Sequence, residues 1–74
     1  MNAMNAIRQL EDNHISALRA EIWLAERRFR ILMGEAVEEG RWNRPAFHRF
    51  REKADAAAAS AAAARAELAE LLRN

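Results

Sequence analysis

One proline and two glycines occur in this chain of 74 residues, and all three lie between residues 34 and 45. Residues 1–33 and 46–74 contain neither breaker. Tyrosine is absent and 31% of the residues are charged, a composition that suits long helices and neither sheet nor disorder. The one clear interruption is Gly40-Arg41-Trp42-Asn43-Arg44-Pro45. Gly40 suits the position just past a helix end, where a left-handed backbone is wanted. Asn43 can cap the next helix, with Pro45 in its first turn. The expected order is a helix over about 5–39, a loop over about 40–43 and a helix over about 44–73. Gly34, inside the first helix, weakens it by ~1 kcal/mol relative to alanine and marks a close approach or a bend. Asp12-Asn13 offers a second cap, which would leave the preceding turns frayed.

The apolar spacing agrees with two helices. Ile15, Leu18, Ile22, Ala25, Phe29, Leu32 and Ala36 recur at alternating steps of three and four, as do Phe47, Phe50, Ala54, Ala57, Ala61, Ala64, Leu68 and Leu71. Such a seam is the signature of helices packed side by side. A short loop makes the pair antiparallel. Counting outward from the loop sets Ala36 against Phe47, Phe29 against Ala54, Ile22 against Ala61 and Ile15 against Leu68. Large then faces small along most of the seam. The fold class read from the sequence is therefore all-α: an antiparallel two-helix hairpin, coiled-coil-like, with an alanine-rich second helix.

Size limits what this hairpin can do. Hydrophobic residues make up 51% of the chain, but 18 of those 38 are alanine, and 11 alanines fall within residues 54–69. The 20 larger apolar side chains suffice for a seam and fall short of a closed core. Below ~70–80 residues a single core rarely supplies much stability without help. Cysteine is absent, so no disulfide or thiolate metal site supplies it. Dimerisation or a partner protein is the remaining support.

The first helix also carries more apolar surface than one neighbour covers. Leu10, Ala17, Leu24 and Ile31 repeat every seven residues outside the seam, and Trp23 and Val37 follow a neighbouring line. These lines lie ~130° from the seam centre, beyond the ~100° stripe that one face needs. A contiguous exposed apolar face marks an interaction site. The candidate partner-binding residues are Leu10, Trp23, Leu24, Ile31, Val37, Trp42, Phe47 and Phe50. The plainer expectation is that Trp23, Leu24 and Ile31 wrap toward the edges of the second helix.

Charge is uneven although the net charge is +1. Residues 27–53 carry a net +4 and the remainder −3. Arg27, Arg30, Arg41, Arg44 and Arg49 form a candidate patch for nucleic acid or an acidic partner. Local pairing of Glu26 with Arg30 and of Glu70 with Arg73 is expected from helical spacing. Pairing of Glu35, Glu38 and Glu39 across the loop with Arg44, Arg49 and Arg51 would offset their unfavourable places on the helix dipoles.

Chemistry is not expected. Two histidines 34 residues apart lie at opposite ends of a hairpin, and His48 has Trp42 or Glu35 as a nearby partner. No serine has a base at a recognisable spacing, and no glycine-rich loop cradles a phosphate. Two helices enclose no pocket for a substrate. The expectation is no enzyme, no cofactor, no metal and no small-molecule substrate. The amino terminus lacks a basic segment followed by an apolar run, and no stretch of ~20 apolar residues could span a bilayer. A cytoplasmic location and no membrane partner follow as expectations.

Certain residues resemble a known family. His14-x-x-Ala17-Leu18-Arg19, the Glu39-Gly40 helix end, and Phe47-x-x-Phe50 with Ala54 and Ala56 are similar to the E-type co-chaperones of type III secretion, small hairpins that assist the needle-subunit chaperone. The resemblance covers about residues 14–64, and the Trp42-Asn43-Arg44-Pro45 loop has no counterpart in it. It implies a cytosolic protein that binds a helical-repeat chaperone and helps to keep a needle subunit monomeric until export. The first-helix face and the Phe47/Phe50 end would be the docking surfaces. Two other readings stand beside it. One is a phage- or plasmid-encoded inhibitor that blocks a host protein through a helical face. The other is a dimeric hairpin that binds RNA through the arginines and aromatics of the loop end. Its near-neutral charge weighs against nucleic acid. Another protein, or a second copy of the chain, is the expected partner.

Overall fold

A computed structural model describes residues 3–73. It is an all-α hairpin: α1 spans Ala3–Gly40 and α2 spans Arg44–Arg73, packed antiparallel. The molecule measures 61 × 19 × 12 Å. Its radius of gyration is 17.4 Å, against ~11 Å for a compact domain of this length. The 12 Å thickness is one helix diameter, so each helix has one neighbour and open flanks. No described helix is long and apolar enough to cross a membrane.

The turn follows its cap. Asn43 Oδ1 accepts a hydrogen bond from the Ala46 N–H at 3.2 Å, and the Asn43 carbonyl accepts one from the Phe47 N–H at 3.1 Å. These satisfy donors that open a helix, while Pro45 has no N–H to satisfy. α1 starts two residues before the expected boundary and continues through Asp12-Asn13 without a break.

Both glycines differ from expectation. Gly40 is the last residue of α1, and its φ is not positive. Its role is space. A Cβ there would lie 2.5 Å from the Phe47 Cβ and 2.7 Å from Cδ2, so the Phe47 side chain rests on bare backbone. Gly34 makes no close approach: a Cβ would meet nothing within 4 Å. The two sites therefore answer alanine with opposite signs. Gly34→Ala should stabilise the hairpin by ~1 kcal/mol through helix propensity. Gly40→Ala should cost ~1–3 kcal/mol because Phe47 must shift. Urea midpoints of the two variants check this, and a gain at both positions would reject the close-contact role of Gly40.

The seam lies where the spacing put it. Leu18, Leu32 and Ala36 of α1 are buried, as are Ala54, Ala57, Ala61 and Ala64 of α2. Ile15, Ile22, Ala25, Phe29, Phe47, Phe50 and Leu68 are half-buried along it. Ala46 joins the core although the spacing did not include it, and Leu71 is exposed where a seam residue was expected. The core is thin, with no large side chain fully buried among the described residues. Each buried alanine methyl contributes ~0.8 kcal/mol, against ~1.5–3 for a buried leucine. In exchange, alanine lets the helix backbones approach closely.

Ion pairs only partly follow the helical rule. Glu70 and Arg73 pair at 3.5 Å as expected, and Arg51 pairs with Asp55 at 3.4 Å. Glu26 does not take Arg30. It bonds Arg65 across the seam, and His14 reaches Glu67 at 3.3 Å in the same way. Among the described residues, Glu35, Glu38 and Glu39 make no ion pair with Arg44, Arg49 or Arg51. By helical spacing Glu35, Glu38, Arg44, Arg49 and Arg51 lie well off their own seams, while Glu39 stands three residues beyond Ala36, in line with the seam of α1.

Candidate docking surface

The surplus apolar surface of α1 is exposed. Leu24 is 57% and Ile31 51% exposed, and Trp23 and Val37 are similarly open. They do not fold over the edges of α2. Helical geometry splits them between two flanks of α1, one with Leu10, Ala17, Leu24 and Ile31, the other with Trp23 and Val37. Arg27 sits over the Trp23 ring with its guanidinium carbon 5.5 Å from the centroid. That contact screens one ring face and holds a cation beside it, worth ~0.5–1 kcal/mol at an exposed site.

The Leu24 flank borders a groove of about 640 Å³ between the helices. Ala17, Ala20, Leu24 and Ala25 line it from α1, and Ala56, Ala57 and Ser60 from α2, with Glu21, Arg28 and Lys53 as its charged members. Small residues from both helices form the bed, and leucine stands beside it. This groove escaped sequence reasoning, which treated the flank of α1 alone. The pairing of small residues at 17, 20 and 25 with those at 56, 57 and 60 was the available signal. A lesser hollow lies beside the Glu26–Arg65 bridge, next to Phe29 and Ala61.

The loop end is different in character. Trp42 is 89% exposed at the turn, the most open large apolar side chain among the described residues. Arg41 and Arg44 flank it, and Arg27, Arg30 and Arg49 are also exposed. Phe47 and Phe50, candidates for docking, belong mainly to the hairpin itself. Phe47 packs on Gly40 and meets the His48 ring edge-on at 5.7 Å, and Phe50 lies half-buried with Lys53 6.0 Å from its ring centroid. His48 therefore contacts neither Trp42 nor Glu35 in the way its spacing suggested. At the opposite end α1 is eight residues longer than α2, and Met4, Ile7 and Leu10 are exposed there.

Among the described residues no three His, Asp or Glu side chains come together as a metal-binding group. The polar residues of the grooves face solvent, where their charges are well hydrated. No family model, no curated protein and no solved structure matches the chain.

Proposed function

We propose that this chain is a small non-catalytic docking protein of the cytoplasm, whose α1 engages a helical partner protein. One observation carries the reading: α1 exposes Trp23, Leu24, Ile31 and Val37 in a molecule only one helix thick. Exposed apolar area of this extent costs solubility and is retained where a partner covers it. A groove bedded on alanine is suited to the apolar stripe of another helix, the helix-in-groove mode of recognition.

The most specific form of this reading is a co-chaperone of type III secretion, supported by the resemblance in residues 14–64. The partner would then be a helical-repeat chaperone, and the cargo a needle subunit. Co-expression with the chaperone and needle subunit of the same genome tests it. The expected result is a stoichiometric complex that loses this chain when Trp23→Glu and Val37→Glu are combined. Purification of the chaperone and needle subunit free of the chain would reject the co-chaperone role.

A second reading rests on the loop end. Trp42 between Arg41 and Arg44 places an open ring among cations, an arrangement able to stack on an unpaired base. A salt-dependent shift with structured RNA, lost in Trp42→Ala, would favour it over protein docking.

A further inference from the structure

We infer that the Leu24 flank of α1 binds a second copy of this chain, running antiparallel, with the two-fold axis passing beside Leu24. The inference rests on the reading of α1 as a docking helix and names the occupant of one of its flanks. The Trp23 and Val37 flank stays open for a different protein.

Area gives the first argument. The chain exposes 5978 Å². A compact monomer of 8.4 kDa exposes ~4600 Å². The excess, ~1400 Å², exceeds the ~800 Å² that each partner of a standard stable interface covers. A second hairpin laid along the groove removes surface of this order and doubles the thickness from one helix layer to two.

Charge gives the second. The loop end carries a net +4 and the rest of the chain −3. A parallel copy would set like against like. An antiparallel copy sets the basic end of each beside the acidic end of the other. The same orientation works residue by residue. Glu21 and Arg28 lie on the groove seven residues apart, ~10 Å along α1, so they do not meet within one chain. Neither forms an ion pair among the described residues. With the axis beside Leu24, Glu21 of each copy comes within one residue's rise (~1.5 Å) of level with Arg28 of the other, twice by symmetry. The two Leu24 side chains then meet at the centre, and Ile31 falls beside the other copy's Ala17. Large meets small outward from the axis, as it does within the hairpin.

The test is a charge swap read by sedimentation. Wild type should sediment as a dimer at concentrations up to ~100 µM, where even a micromolar dimer is assembled. Glu21→Arg alone, or Arg28→Glu alone, creates two like-charge contacts and should weaken the dimer about tenfold or more. The Glu21→Arg/Arg28→Glu double variant restores opposite charges only in the antiparallel pair and should recover dimerisation. All are exposed positions, and circular dichroism should show unchanged helicity. A monomeric wild type over that range overturns the proposal, as does a helical double variant that stays dissociated. Neither result touches the docking role of Trp23 and Val37, which is read from the partner complex instead.

Discussion

Leu18→Glu should unfold the hairpin, whereas Leu24→Glu combined with Ile31→Glu should leave it helical and unable to pair with a second copy. Both changes put carboxylates where leucine or isoleucine stood, and burial decides between the outcomes. Leu18 is 4% exposed in the seam. An unpaired buried carboxylate costs several kcal/mol, comparable to the ~3–5 kcal/mol that a chain of this size holds in total. Leu24 and Ile31 stand outside the seam, so the isolated chain tolerates charge there. Once a partner covers them, the same carboxylates become buried and unpaired, and association should fall by orders of magnitude. Far-ultraviolet circular dichroism at low concentration reads the folding half, and sedimentation reads the binding half. Equal loss of helicity in both variants would place Leu24 and Ile31 in the core and remove the docking face. Full self-association by the double variant would remove the Leu24 flank as the dimer surface and leave the Trp23 and Val37 flank as the docking face.

Ala61→Leu should destabilise the hairpin by ~1–3 kcal/mol. Ala61 is 2% exposed on the seam face of α2. Three added carbons push the helices apart or force a strained rotamer. Ala63→Leu, two residues on and about 200° round the helix on the exposed face of α2, is the control and should change stability by no more than ~0.5 kcal/mol. Urea unfolding of the two variants side by side decides. A neutral Ala61→Leu would mean that the seam there is loosely packed and the stated register incorrect.

The hairpin was legible because its signals are local and repeated. Fifteen apolar positions at one spacing leave little freedom in which faces meet, and Asn43 and Pro45 name the start of α2 by themselves. What the sequence misassigned depended on which residue stands across the seam. Gly40 was read through its backbone freedom, whereas its value lies in the room it leaves for Phe47, seven residues on. Glu26 has an arginine one turn away, and only the register reveals that Arg65 is the one it takes. Ala46 lies outside the alternating three-and-four spacing, yet it is buried in the core beside the turn. The docking face was visible as surplus on α1. The groove was not, because its bed is shared between helices that are distant in sequence.

The alanine seam has a mechanical consequence for α2. Between Ala56 and Ala64 every residue is alanine or serine, so the inner and outer faces of this stretch are sterically almost equivalent. Turning α2 about its own axis here exchanges one methyl group for another and meets little resistance. The angular setting of the helix must therefore be fixed at its ends. Phe47 seated on Gly40 clamps one end, and Leu68 with the His14–Glu67 contact clamps the other, while the Arg65–Glu26 bridge sets the angle near the middle of α1. Between those clamps α2 behaves as a smooth shaft in a bearing, able to twist by small amounts as a neighbour settles against it.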